Sequence, residues 1–303
     1  METTVMNASR RLIAACTVSI VLLFILAASG FAESRNVSPS HRNIAYDDDH
    51  PSQILDVYLA ESDKPTPAMI YIHGGGWRAG SKNNIPGWLK AFVADGQLSV
   101  VSVEYRFTDV ATHPAQVNDC LRAIQFVRQN ARKWNINTHR LGVTGGSAGG
   151  HLSAYVALHD DAADGKSDDP VKHNSSRVAC AVSFAGPTDW TLLSSIDHRH
   201  PAYRQLIDYA PGTPAADLAE KLIKDVSPIS FASKDDPPIM QVHGDKDVIV
   251  PIEHATNLHK KLESVGVKSE LVVVPGGNHG VAGAGTSKRA TAFVRQHLLN
   301  VRP

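Results

Sequence analysis

Ser147 sits in Gly145-Gly146-Ser147-Ala148-Gly149, a G-x-S-x-G pattern that follows the β-branched segment Arg140 to Thr144 and opens the helical segment Gly150 to His159. A serine hydroxyl is a weak nucleophile, and it attacks a carbonyl only when a nearby base takes its proton. Strand, sharp turn and helix present it for that attack. Glycines around the serine permit a turn in which a side chain would collide, and the hydroxyl then projects at a helix N-terminus. The string alone fits an incidental serine in a glycine-rich turn equally well; the flanking strand and helix favour the nucleophile.

The base has to be a neutral imidazole held in one tautomer by a carboxylate. Of the 15 histidines, His254, His259 and His297 fall in helical runs and His198 and His200 lie in a long insertion. His279 differs, because it follows the apolar run Leu271 to Val274 through Pro275-Gly276-Gly277-Asn278. That is a loop at the C-terminal end of a candidate strand, where open α/β sheets keep their sites. Asp247 occupies the same kind of place, in His243-Gly244-Asp245-Lys246-Asp247 after Pro238 to Val242, with Asp245 as its rival.

Acyl transfer also puts negative charge on the carbonyl oxygen, which fixed backbone N–H groups can receive. His73-Gly74-Gly75-Gly76-Trp77 closes the apolar run Ala68 to Ile72. Its candidate donors are Gly74 and Gly75, joined by the N–H of Ala148 after the nucleophile. His73 reads as a support for the loop rather than a base. Trp77 is the candidate substrate-binding wall, with packing as its competing role.

These residues need a frame. From residue 42 onward, β-branched runs alternate with helical patterns, the mark of a mostly parallel sheet covered on both faces. The expected strands are Ile54 to Ala60, Ala68 to His73, Ser99 to Tyr105, Arg140 to Thr144, Val178 to Phe184, Pro238 to His243 and Ser269 to Val274. Helical spacing of apolar residues marks Ala115 to Trp134, Ile252 to Val265 and a last helix through Ala290, Phe293 and Val294. Asp160 to Ser176 reads as a polar surface loop. Residues 186–237 are about fifty in number, far more than a crossover needs, and read as a small cap insertion over the working edge of the sheet.

Arg10 and Arg11 precede an uncharged apolar run, Leu12 to Ala32, which reads as an export signal ending near Gly30 and Ala32. Residues 1–32 are then a leader, and 33–303 a single catalytic domain. The run approaches the roughly 20 residues of a bilayer span, so an uncleaved anchor is the alternative. Either way the catalytic part is expected outside the membrane, periplasmic or extracellular, with no other membrane attachment. Lys plus Arg and Asp plus Glu are equal at 30 each, with no basic stripe, which argues against a nucleic-acid partner. Cys120 and Cys180 sit in apolar stretches and read as buried free thiols. Asp47-Asp48-Asp49-His50 and the acidic loop around Asp160 and Asp168 lack an EF-hand spacing and read as solvated. His198-Arg199-His200 has no partner ligands at a zinc spacing. No metal and no cofactor are assigned.

Together with Asp225-Val226-Ser227-Pro228 and Asn278-His279-Gly280, these motifs resemble the hormone-sensitive-lipase-like esterases. They resemble still more the small bacterial esterases linked to acetyl and feruloyl groups on plant polysaccharides. The resemblance covers nearly all of the chain after residue 32. It implies an α/β-hydrolase fold and a serine carboxylester hydrolase with Ser147 as nucleophile, His279 as base and Asp247, in its H-G-x-x-D string, as the triad acid. The expected substrate is a small-molecule or polysaccharide ester. The order Ser147, Asp247, His279 is that of α/β-hydrolases. The chain departs from many relatives in carrying Gly146 where they have glutamate. The stretch between Glu33 and the first strand-like segment is also too short for the helical N-terminal cap of the larger members, which implies an open site. The competing readings are an exported aminopeptidase or amidase, an aryl formamidase or lipase, and a non-catalytic binding module on the same fold.

Overall fold

The computed structural model describes residues 37–193, 200–210 and 213–300. They fall in the unit Ser34–Pro303. Residues 1–32, the segment expected to be a leader, lie outside the described residues, as do His198 and Arg199.

Eight strands form one sheet: β1 (His41–Ala45), β2 (Ile54–Tyr58), β3 (Thr66–Ile72), β4 (Ser99–Val103), β5 (Ile136–Gly146), β6 (Cys180–Phe184), β7 (Ile239–Gly244) and β8 (Ser269–Val274). Their spatial order is β1-β2-β4-β3-β5-β6-β7-β8. β1–β2 and β2–β4 pair antiparallel; every later pairing is parallel. Strands buried on both faces carry nearly continuous apolar runs, and all residues of β4, β6 and β7 are buried. Successive side chains point to opposite faces, so Ile70 and Ile72 enter one core while Met69 enters the other. On the first face they meet α2 (Ala115–Asn130), α3 (Ala148–Leu158) and the helix Glu253–Ser264 through Ile124, Val127, Leu152 and Leu258. On the second they meet α1 (Gly87–Ala94) and the helix Ala284–His297 through Leu89, Phe92, Phe293 and Val294. This is the mostly parallel, doubly covered sheet expected from the alternation, in the α/β-hydrolase form that the resemblance implies.

The register aligns the strand ends. Ile72 lies opposite Gly145, Gly146 opposite Phe184, and Gly244 opposite Val274. The loops that carry the Gly74 run, Ser147, Asp247 and His279 therefore leave the same edge of the sheet.

Two elements lie beyond the expected set. β1 is a short edge strand whose residues are half-buried or exposed, so it has no apolar alternation to read. α1 follows Pro86 with no side-chain cap at its start, which removes the usual helix-start signal. The segment Asp160 to Ser176 has no helix or strand, but it is tied down. Gln125 Nε2 donates to the carbonyls of Ala162 and Asn174 at 3.1 and 2.8 Å, and Arg128 Nη1 to that of Ser175 at 2.6 Å. The insertion contributes the short helices Ala202–Leu206 and Glu220–Val226 and a 3-10 turn at Pro228–Phe231. Its aromatics Trp190 and Tyr203 are buried and pack on Trp77, with ring centroids 5.9 Å from the indole in each case. Cys120 and Cys180 are free and buried.

Candidate active site

Ser147 forms the turn between β5 and α3 at φ 56° and ψ −121°, a conformation that costs a non-glycine residue roughly 1–3 kcal/mol. Neighbours hold it there. Its N–H donates to Phe184 O at 2.8 Å, and its carbonyl accepts from the His151 N–H at 2.9 Å. A Cβ on Gly145 or Gly149 would collide with the carbonyl oxygen of Ile72, so this turn packs only with glycine on both sides.

His279 reaches the serine from the loop after β8, its Nε2 2.9 Å from Ser147 Oγ. Its Nδ1 lies 2.8 Å from Asp247 Oδ2. A carboxylate can only accept, so Nδ1 carries the proton and Nε2 is left to accept from the serine hydroxyl. The Asp247 side chain has no exposed surface. Its Oδ1 accepts from the N–H groups of Ile249 and Val250, both at 2.9 Å. Burial by itself raises the carboxyl's pKa, but donors from His243, His279 and the Val250 N–H outweigh it and hold the group well below the usual carboxylate range. His243 Nε2 donates to Val250 O at 2.7 Å with Asp247 Oδ2 3.5 Å away, bracing the same loop. Asp245, the rival acid, is exposed and accepts from the Gly276 N–H at 2.7 Å, which fastens the His279 loop without touching the imidazole.

The glycine run ends in a tight turn, with the N–H groups of Arg78 and Ala79 returning to Gly75 O at 3.2 and 3.1 Å. Gly75 (φ 120°) and Gly76 (φ 61°) line a cavity of about 380 Å³ beside Ser147 and His279. Gly74 packs on the elbow instead, where a Cβ would lie 2.5 Å from Gly146 O and 3.5 Å from Ser147 Cβ. Ala148 is buried at the first position of α3, whose opening N–H groups have no acceptor within the helix. Gly76 is a cavity residue that the sequence reading passed over; its signal was its place as third glycine of the run.

His73 braces this turn. Its Nδ1 donates to Gly74 O at 2.8 Å, and its Nε2 lies 2.7 Å from Glu104 Oε1. Glu104 Oε2 accepts from the Lys82 N–H at 3.1 Å, and the imidazole stacks on Tyr105. Trp77 also lines the cavity, yet only 2% of it is exposed and its indole N–H is bound to His151 Nδ1 at 3.2 Å. Its contribution to the site is therefore mainly support beneath the turn. Of the acidic run at Asp47, that residue pairs with Arg122 at 3.0 Å.

A positioned hydroxyl, a neutral ring nitrogen and a buried carboxylate thus stand in one hydrogen-bonded line beside a glycine turn and a helix N-terminus. Known proteins are similar to this chain in sequence and fold. Esterase LipC of Mycobacterium tuberculosis is 30% identical over 264 residues, which is 83% of this chain and 63% of that protein, so the chain spans less than two thirds of that relative's length. A solved structure described as a truncated form of a carbohydrate esterase from gut microbiota superposes with a TM-score of 0.75 at 30% identity, covering 87% of this chain and 97% of the other. An acetyl ester-xyloside bifunctional hydrolase from Caldicellulosiruptor lactoaceticus gives a TM-score of 0.70 at 28% identity, covering 80% and 88%. Residues 55–262, which hold β2 through the helix after Asp247, match the model of the BD-FAE family, and this chain belongs to that family.

Proposed function

We propose that this protein is a serine carboxylester hydrolase that works through an acyl-enzyme on short-chain acyl esters, with acetyl or feruloyl groups on plant polysaccharides as the natural substrate class. The observation that carries the reading is the line Ser147 Oγ, His279 Nε2, His279 Nδ1, Asp247 Oδ2, with both contacts under 3 Å. Ser147 attacks the ester carbonyl as His279 takes its proton, and the oxyanion lies against the N–H groups of the Gly75 turn and of Ala148. His279 then protonates the leaving alcohol, and water repeats the sequence on the acyl-enzyme. Asp247 holds the imidazole in the required tautomer and stabilises its cationic form. The polysaccharide part of the reading is supported by likeness to structures described as a carbohydrate esterase and an acetyl ester-xyloside hydrolase.

The reading includes export, on the strength of Arg10, Arg11 and the apolar run that follows. Fractionation of cells making the full chain tests that part: activity outside the cytoplasm is expected, and purely cytoplasmic activity of an intact chain would sink it. The test of the chemistry is hydrolysis of nitrophenyl esters from acetate to dodecanoate by protein lacking residues 1–32, with Ser147→Ala alongside. Turnover that is fastest for acetate and lost in the variant is expected. Equal inertness of both proteins toward esters would overturn the reading in favour of peptide amides or a binding role.

A further inference from the structure

The exposed Arg78 stands at the mouth of the cavity that holds Ser147 and His279, and His200 from the insertion lines it nearby, both reaching within 4 Å of where a Cβ on Gly76 would lie. Among the described residues the cavity lining includes no acidic side chain, and the buried Asp247 behind His279 already takes donors from His279, Ile249 and Val250. The Arg78 guanidinium is exposed, and among the described residues it forms no ion pair; its hydrogen bond is a long one, 3.4 Å to Gln205 Oε1. Burial first, then the Arg78 charge beside it, holds the His200 pKa below the ordinary histidine value, and Arg78 is the fixed charge among the described lining residues. A guanidinium is always charged and offers a planar fork of donors matched to a carboxylate. The main-chain N–H of Arg78 is bonded to Gly75 O at 3.2 Å, so the anchor belongs to the same turn that faces the reacting carbonyl.

We infer that the mouth of this cavity selects esters that carry a carboxylate, with Arg78 as the anchoring residue. The inference rests on the hydrolase reading above and adds the charge of the substrate to it. The carboxylate has two possible sources, the acyl half or the alcohol half of the ester. An anchor away from the reacting centre binds ground state and transition state alike, so its effect falls on KM more than on kcat.

Two matched pairs separate the sources: the 4-nitrophenyl monoester of adipate against that of adipamate, and 3-acetoxybenzoate against 3-acetoxybenzamide. The quantity read is the ratio of kcat/KM, charged over neutral, in wild type, Arg78→Gln and Arg78→Glu; differences in leaving-group chemistry cancel because each pair is compared across enzymes. For the productive half, Arg78→Gln lowers the ratio about three- to tenfold through KM, in the range of a partly exposed charge-assisted contact. Arg78→Glu lowers it further, and added salt lowers the wild-type ratio toward that of Arg78→Gln. The arm that responds identifies the half carrying the carboxylate. Ratios unchanged in both arms, with Ser147-dependent turnover of the neutral esters intact, overturn the selectivity and leave the hydrolase standing. No turnover of any ester, in wild type or variants, overturns both.

Discussion

His151 joins the Trp77 turn to the insertion: its Nδ1 accepts the indole N–H of Trp77 at 3.2 Å while its Nε2 donates to Val226 O at 2.9 Å. One neutral tautomer satisfies both contacts, and the imidazolium does not, because its Nδ1 would then meet the indole as a second donor.

A pH prediction follows from this ring and from His254, whose Nδ1 accepts the Thr188 and Asp189 N–H groups at 3.2 and 3.1 Å. Burial lowers both, each to about 3. The unfolded chain takes up protons on these rings near the ordinary value of about 6.5, where the folded chain does not. Stability is therefore full above that pH and is lost as pH falls toward the folded values, by several kcal/mol in all at about 1.4 kcal/mol per unit. Melting temperature is expected to drop steadily from pH 7 to pH 4.5, and His151→Gln to show a lower value at pH 7 with a shallower slope. A wild-type melting temperature constant over that range would refute the assignment.

Asp247 and Asp245 separate by variant kinetics. Asp247→Asn removes the acceptor that fixes the His279 tautomer and lowers kcat on the order of 10³- to 10⁴-fold in folded protein. Asp245→Asn loosens the loop contact at Gly276 and costs at most about tenfold, the scale of a small misplacement. Comparable losses in the two would show that Asp247 acts only by holding the loop.

Glu104 reaches the glycine turn through His73, whose Nδ1 donates to Gly74 O, and is expected to act on turnover by positioning that turn. Glu104→Gln keeps the shape but removes the carboxylate that faces the imidazole, and is expected to lower kcat about ten- to a hundredfold with KM little changed. Glu104→Asp recovers part of the loss. If the variant only lowers the melting temperature and kcat stays at the wild-type value, the pair is structural alone.

Much of this was legible from local pattern. An elbow such as Gly145 to Gly149 is set by residues adjacent in the chain, since the turn tolerates only glycine at Gly145 and Gly149, two residues either side of the serine, and the strand and helix around it are read from their own periodicity. The sheet and its covering helices were likewise visible in apolar spacing, whereas β1 and α1 were not, one lacking alternation and the other a side-chain cap. The tertiary structure alone decided which groups meet across loops. It put Asp247 rather than Asp245 at hydrogen-bond distance from His279, turned Gly75 and Gly76 into the cavity while Gly74 packed on the elbow, bound the Trp77 indole to His151, and brought Arg78 and His200 to one mouth. The physical reason is that hydrogen bonds and charge contacts act over about 3–4 Å, and separations of that size between distant loops depend on strand register and crossover geometry, which no spacing along the chain records.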